Sequence, residues 1–402
     1  MKLAIVPGKA NGTIMAPPSK SMAHRMLMGA GLAKGKSVVE NIDLSEDVKA
    51  TLGILKALGC EYTVENRTVA ITGIGGKTLV TTEELDSKES GSTLRFFIPL
   101  LLTGGEKAVF KGAKRLLERP LEIYENICKE QGIFYERGEG ILCLNGKLAP
   151  AHFKVPGNIS SQFITGLLYA LPLLEGDSII EVLPPVESKA YIDMTLEALT
   201  YYGIKVYREE NTYKIPGNQI YQARDGAVEG DYSNAAFLEA FNLIGGNVEV
   251  NGLREDSLQG DQIYKTYYEK LKEENPMMDI SECPDLGPIL MGMAAALHGA
   301  KFTGTKRLKI KESDRGTVMA EELKKFGIET EVLENEITVF PGILRKPDVE
   351  LSSHNDHRIA MTMATLCSIT GGVIDGAESV RKSFPKYFET IQALGIRLED
   401  IS

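Results

Sequence analysis

Apolar and polar positions repeat in one arrangement along this 402-residue chain. A small or polar residue opens an apolar stretch with helical spacing, a glycine-containing turn follows, and a β-branched strand closes the segment. The pattern runs from Ser21 to Val39, Ser92 to Phe110, Ser161 to Ile180, Asn234 to Val250, Asp285 to Phe302 and Asp356 to Ile374. Most intervals are about seventy residues, with one shorter, and such a period marks a repeat architecture. Several repeats then continue as a helix that ends in glycine and an alternating hairpin. Leu58-Gly59-Cys60 leads to Tyr62, Val64, Val69 and Ile71; Tyr202-Gly203-Ile204 to Val206, Tyr213 and Ile215; Phe326-Gly327-Ile328 to Val332, Ile337 and Val339. Glycine suits the position just past a helix because it tolerates the left-handed conformation. Alternation in the hairpins predicts strands with one buried face.

Each repeat therefore reads as βαβαββ, and six of them give an α/β (α+β) chain of two similar domains with three repeats each. An irregular stretch near Val228-Glu229-Gly230-Asp231 precedes a new helix start. The strand Lys2 to Val6 comes before the first repeat and is expected to complete the C-terminal domain. The chain then crosses near Gly12 and near Gly230, with 1–13 plus 229–402 forming one domain and 14–228 the other. Two glycine-lysine pairs, Gly35-Lys36-Ser37 and Gly76-Lys77-Thr78, imitate the end of a phosphate-binding loop. That motif needs a glycine five positions before its Gly-Lys, and those places hold Ala30 and Ile71. Gly73-Ile74-Gly75-Gly76 likewise lacks the full dinucleotide fingerprint and a following helix. The two glycine-lysine pairs read as turns into strands.

Composition narrows the class. The net charge of −10 argues against a general surface for nucleic acid or anionic membrane. The N-terminal apolar run meets Pro7-Gly8 too early for a signal peptide, and no apolar run approaches a membrane span. Five scattered cysteines without a C-x-x-C favour a reducing cytoplasm. His354 and His357 have metal-ligand spacing, but Arg358 beside them would repel a cation, so no metal site is assigned.

The candidate chemistry centres on Lys311-Glu312-Ser313-Asp314-Arg315, ahead of the helical pattern of Val318, Met319, Leu323 and Phe326. On one helical turn, Lys311 and Arg315 form an i,i+4 pair facing the same way. A solvated turn with local ion pairs is the ordinary explanation of such a run. Its company changes the balance: Lys20 with Ser21 and Arg25, Ser160-Ser161-Gln162, Asp285, Asn355-Asp356-His357-Arg358 and Lys382 all open helix-like segments. Helix N-termini attract phosphate and carboxylate. Serines at such ends cap the helix or donate to a ligand, and arginine adds bidentate donors. Arg95 and Arg119 have equal claims as structural ion pairs and as ligand contacts. Asp285, following Pro284 at the head of an apolar helix, serves as a cap or as a base.

The motifs Pro18-Ser19-Lys20-Ser21-Met22-Ala23-His24-Arg25, Ser90-Gly91-Ser92-Thr93-Leu94-Arg95, Glu118-Arg119-Pro120, Ser160-Ser161-Gln162, Glu187-Ser188-Lys189, Pro284-Asp285, Lys311 to Arg315, Asn355 to Arg358 and Lys382-Ser383-Phe384-Pro385 run in order over nearly the whole chain. In these stretches the sequence resembles the 5-enolpyruvylshikimate-3-phosphate synthase family of enolpyruvyl transferases. The resemblance implies two inside-out α/β barrel domains that close on the substrates. It implies transfer of the enolpyruvyl group of phosphoenolpyruvate to the 5-hydroxyl of shikimate 3-phosphate, with release of phosphate, in the shikimate pathway to chorismate and the aromatic amino acids. Lys20, Ser21, Arg25, Ser160, Ser161, Gln162, Ser188, Asp285 and Lys311 match the shikimate 3-phosphate set. Lys20, Gly91, Arg119, Gln162, Arg315, Arg358 and Lys382 match the phosphoenolpyruvate set. Glu89 stands where many members carry Asn, and Arg307 where some place an Asn; neither is assigned. The analogue glyphosate is an expected inhibitor, although Ser92 and Phe96 differ from some sensitive members.

The expected mechanism is addition of the hydroxyl to C2 and a proton to C3, followed by loss of phosphate from a tetrahedral intermediate. Asp285 is the expected base, held by Lys311; Glu312, Lys20 or Lys382 delivers the proton, and no metal or organic cofactor is called for. A UDP-N-acetylglucosamine enolpyruvyl transferase is the nearest rival. Its family carries a catalytic Cys in the loop corresponding to Lys111 to Arg119, where this chain has none; Cys128 is expected in a helix further on. A non-catalytic repeat scaffold is the rival of a different class. A monomer in the cytoplasm is expected.

Overall fold

The computed structural model describes residues 1–75, 81 and 84–402, so Gly76-Lys77-Thr78 lies outside the described residues. The chain divides into a central unit, Lys20–Glu229, and a split unit formed by Met1–Ser19 with Gly230–Ser402. The first crossing falls at Ser19–Lys20, later than Gly12. The cause is the strand Asn11–Met15, which pairs in parallel with Asn247–Asn251 and so belongs to the split unit.

In the central unit the helices are α1 (Lys20–Leu32), α2 (Glu46–Ala57), α3 (Gly91–Gly104), α4 (Lys114–Glu118), α5 (Glu122–Glu130), α6 (Ser161–Ala170) and α7 (Lys189–Tyr201). Three sheets of four strands accompany them, all with one topology. In each, the leading strand of a repeat lies parallel to the strand that follows the repeat's first helix, and that second strand then pairs with an antiparallel hairpin. His152–Pro156 beside Ser178–Leu183, followed by Thr212–Ile215 and Tyr207–Glu209, is one example. The first repeat borrows its leading strand from Gly226–Ala227, at the far end of the unit, so the three repeats close on themselves. Gly35, Lys36 and Ser37 lie inside the strand Lys34–Glu40.

Helices α1, α3 and α6 are buried on nearly every face, as apolar stretches without a polar side must be. Helix α5 is amphipathic instead: Ile123, Tyr124, Ile127 and Cys128 face inward while its glutamates face water. Helices α3 and α6 approach closely at Gly166, where an added Cβ would meet the Arg95 carbonyl oxygen and Tyr124 Oη at 2.4 Å each. The Tyr124 hydroxyl stitches this crossing together, donating to the Arg95 carbonyl at 2.7 Å.

The split unit holds α8 (Tyr232–Leu243), α9 (Tyr264–Lys270), α10 (Gly287–Ala296), α11 (Arg315–Lys325), α12 (His357–Thr370) and α13 (Tyr387–Ala393). Helices α8, α10 and α12 are the buried ones here. Strand Lys2–Val6 pairs with both Gly372–Asp375 and Arg397–Asp400, filling the hairpin place of the last repeat. One repeat departs from the βαβαββ reading. After Asn247–Asn251 the chain passes through α9 directly to Met277–Asp279, and no hairpin intervenes. That omission accounts for the one short interval in the sequence period.

Gly166→Ala is expected to lower stability by about 1–3 kcal/mol through overpacking. The check is a fall in the urea midpoint with an unchanged slope.

Candidate functional site

The six buried helices have their starts in common: each carries, at or just before its first turn, residues singled out above. Ser90 accepts from Thr93 N at α3, Ser160 from Gln162 N at α6, Asp231 from Asn234 N at α8, and Asp356 from Arg358 N at α12. These caps satisfy one donor each of the four that a helix start leaves without an intrahelical partner. Asp285 lies just ahead of the cap position of α10 and does not cap it.

In the central unit, Lys20 at the head of α1 pairs with Asp47 of α2 at 2.8 Å. Arg25 is buried among hydroxyls and carbonyls: it donates to the Ser21 carbonyl at 2.7 Å, the Tyr191 carbonyl at 2.8 Å and Thr195 Oγ1 at 3.0 Å. Burial lowers its guanidinium to about 10. Arg25 has no carboxylate partner among the described residues. Gln162 bridges α6 to α3, accepting from Arg95 at 2.7 Å and donating to Ser92 Oγ at 2.9 Å. Gly91 lies directly under two guanidiniums: an added Cβ would come within 2.9 Å of Arg119 Nη1 and 3.1 Å of Arg95 Nη1. Ser161 is buried beside the Ser160 cap, and Ser188 is buried at the head of α7 in the left-handed region, φ 56°. A buried chain of polar groups ties the first three helices together. His24 Nδ1 meets Thr51 Oγ1 at 2.8 Å, Thr51 meets Thr93 at 2.8 Å, and Thr93 donates to Ser90 at 2.7 Å. Burial first, then Lys20 and Arg25, hold His24 well below the usual histidine range, so its ring is neutral.

In the split unit the centre is Arg315, 1% exposed and surrounded by three carboxylates. Its Nε donates to Asp356 at 2.9 Å, Nη1 to Asp285 at 2.9 Å and Nη2 to Glu312 at 2.9 Å. Burial works against its charge, yet Asp356, Glu312 and Asp285 together raise its pKa. Lys311 reaches the same Asp285 oxygen at 2.9 Å. Lys311 and Arg315 do not share a helical turn as expected: Lys311 ends the short 3-10 turn Lys306–Ile310, and α11 starts only at Arg315, capped by Asp314. Their convergence comes from Asp285, not from i,i+4 spacing. Arg358 lies over the Phe237 ring, donates to Asn234 at 3.3 Å and stands 3.7 Å from Asp285. Its buried Nε has no partner among the described residues. Burial alone would raise the Asp285 carboxyl, but Lys311, Arg315 and Arg358 outweigh it and hold the group well below the ordinary carboxylate range. Burial lowers Lys311, against the pull of Asp285. Lys382 closes the turn Ala377–Lys382, ahead of α13 rather than at its start, and donates to the Asn355 carbonyl.

Sequence reasoning missed Asp47, whose only signal is its place in the first turn of α2, and Asp261, which lies in a stretch without a motif. It named Asp356 within a motif but missed that Asp356 anchors both Arg315 and the α12 cap. No group of three or more histidine, cysteine or acidic residues fit to hold a metal occurs among the described residues, and no described helix is long and apolar enough to cross a membrane.

Two units of βαβαββ-type repeats with cation-lined helix starts define the enolpyruvyl-transferase class of folds. Two solved structures of EPSP synthase from Acinetobacter baumannii share it. They superpose with TM-scores of 0.80 and 0.81, cover 99% and 100% of this chain and all of their own, and are 24% and 23% identical. The family model for EPSP synthase (3-phosphoshikimate 1-carboxyvinyltransferase) matches residues 6–391. Proteins named 3-phosphoshikimate 1-carboxyvinyltransferase from Clostridium novyi (strain NT) and Clostridium kluyveri are 40% identical over 426 residues. Those alignments cover 98% and 100% of this chain and 97% and 99% of the relatives. One from Clostridioides difficile (strain 630) is 39% identical over 432 residues, covering 99% and 98%. The chain belongs to the EPSP synthase family.

Asp356→Asn is expected to cost about 3–5 kcal/mol by leaving the buried Arg315 short of a countercharge. Equilibrium unfolding of the variant beside the wild type checks it.

Proposed function

We infer that the chain carries out its family's reaction: transfer of the enolpyruvyl group of phosphoenolpyruvate to the 5-hydroxyl of shikimate 3-phosphate, with release of phosphate, in the shikimate pathway. The observation that carries the residue roles is the triple hold of Lys311, Arg315 and Arg358 on Asp285. A carboxylate so held stays ionised and ready to accept a proton, but it is a weak base until the surrounding positive charge is offset. Polyanionic substrates provide that offset. Their phosphate and carboxylate groups engage the same cations, the pKa of Asp285 rises, and its basicity rises with it.

In this scheme shikimate 3-phosphate is held by Lys20, Ser21, Arg25, Ser160, Ser161, Gln162, Ser188, Asp285 and Lys311. Phosphoenolpyruvate is held by Lys20, Gly91, Arg119, Gln162, Arg315, Arg358 and Lys382. Arg315 meets the ligand by exchanging one of its carboxylates; Asp356 holds it by two hydrogen bonds, whereas Glu312 and Asp285 hold it by one each. Asp285 takes the proton of the 5-hydroxyl as its oxygen bonds to C2, while Glu312, Lys20 or Lys382 protonates C3. The C2–O bond to phosphate then breaks, the proton on Asp285 passes to the departing phosphate, and C3 returns a proton to the group that supplied it. The arginines stabilise the charge that moves between these oxygens. Glyphosate, an anionic analogue, would compete at the phosphoenolpyruvate set. The enzyme acts as a cytoplasmic monomer. The nucleotide-sugar reading is not favoured: the family model and the curated relatives name the shikimate reaction, and 111–119 has no Cys.

The test is phosphate release from phosphoenolpyruvate with shikimate 3-phosphate, with UDP-N-acetylglucosamine, and with neither. Release only with shikimate 3-phosphate is expected; release only with the nucleotide sugar would overturn the reading. Asp285→Ala should lower kcat by about 100- to 10,000-fold, the usual span for a lost general acid or base. Gly91→Ala displaces the Arg119 guanidinium by a few tenths of an ångström and should raise the KM for phosphoenolpyruvate while the KM for shikimate 3-phosphate stays near wild type.

A further inference from the structure

One buried ionisable group beside Asp285 and Arg358 has no part in the scheme above. Asp261 lies in the turn Gly260–Ile263, within the repeat that lacks a hairpin, and is 2% exposed. The Ser233 hydroxyl, in the first turn of α8, donates to its Oδ2. Its Oδ1 is buried with no polar partner among the described residues. The turn is rigidly placed. Gln259, just before it, donates to the Gly230 carbonyl at 2.7 Å and accepts from Tyr232 N at 3.0 Å. A carboxylate oxygen in that setting lacks a donor that would favour its charge, whereas a carboxylic acid needs one fewer acceptor site filled.

The charged and titratable groups that act on it come from every neighbouring element: Asp231 at the start of α8, Cys283 and Asp285 ahead of α10, and Arg358 on α12. Burial first and then Asp285 push the Asp261 carboxyl up to about 7, against the Ser233 hydroxyl and Arg358. When ionised, Asp261 competes for the positive charge of Arg358. When neutral, it leaves that charge, and the unpartnered Nε, to a ligand.

We propose that Asp261 is a positioning residue of this reaction: it takes up a proton from solvent when phosphoenolpyruvate binds at Arg358, and its ionisation weakens that binding. The proposal rests on the assignment of Arg358 to phosphoenolpyruvate. The sign follows from linkage. A bound anion adds negative charge near Asp261 and raises its pKa further. By reciprocity, protonation favours the anion by the same factor. Affinity is therefore full below the pKa of the free enzyme and is lost as pH rises through about 7.

The experiment is steady-state phosphate release between about pH 6 and 8.5 at saturating shikimate 3-phosphate, for the wild type, Asp261→Asn and Ser233→Ala. Asn is the uncharged isostere of the acid form. Across that range the KM of the wild type for phosphoenolpyruvate should rise at least about threefold more than that of Asp261→Asn, the equivalent of roughly half a unit of coupling. Ser233→Ala removes the hydroxyl that favours the ionised form, so its rise in KM should move to higher pH. Calorimetry of phosphoenolpyruvate binding near pH 7, in buffers of different ionisation enthalpy, should show more proton uptake by the wild type than by Asp261→Asn. A variant KM that follows the wild-type pH profile, or equal proton uptake, overturns the proposal. A purely structural Asp261 would change stability or kcat at all pH values without altering the proton count. A wild type with no phosphate release in this assay would instead sink the functional reading itself, so the two failures are distinct.

Discussion

The split unit depends on one buried cation. Arg315 draws Asp356, Asp285 and Glu312 onto three of its edges while almost wholly excluded from water. Without it three carboxylates would crowd together near helix starts. With it, α11, α12 and the head of α10 are tied at one point, because Asp356 also caps α12 and accepts from Ser313 at 3.0 Å. A buried pair of this kind is costly to assemble and costly to break. What it secures is position. Asp285 is held where Lys311 and Arg358 also reach it, so its charge state answers to the charges around it.

The central unit solves a related problem without a carboxylate hub. Arg25 is surrounded by carbonyls and hydroxyls, so its buried charge lacks a fixed counterion among the described residues. Lys20 leans on Asp47, and Gly91 leaves room beneath Arg119 and Arg95. The neutral His24 joins Thr51, Thr93 and Ser90 into one hydrogen-bonded chain, which fixes the starts of α1, α2 and α3 relative to one another. Each unit thus collects cations at or near helix starts, where an anionic ligand is favoured.

Much of this was legible in the sequence, because repeats, glycine stops and alternating hairpins are local signals. The place of Lys2–Val6 in the C-terminal domain was legible because that strand precedes the first repeat. The abbreviated repeat appeared only as a short interval, since a missing hairpin leaves no positive mark. The relation of Lys311 to Arg315 was misread because spacing alone suggested one helical turn, whereas a 3-10 turn ends just before Lys311, α11 starts only at Arg315, and Asp285, distant in sequence, brings the two together. Asp47 and Asp261 were invisible for the same reason: their partners lie on other elements, and nothing in their immediate neighbours distinguishes them from surface aspartates.

The central claim is that substrate charge converts Asp285 from a clamped anion into a working base. It is tested most directly by carbon-13 NMR of aspartate-labelled protein, with the Asp285 carboxyl assigned by difference from Asp285→Asn. In the free protein the signal should titrate well below the ordinary carboxylate range, and saturating shikimate 3-phosphate should move its midpoint upward. A midpoint already near the ordinary value in the free protein, or one unmoved by the substrate, would contradict the account.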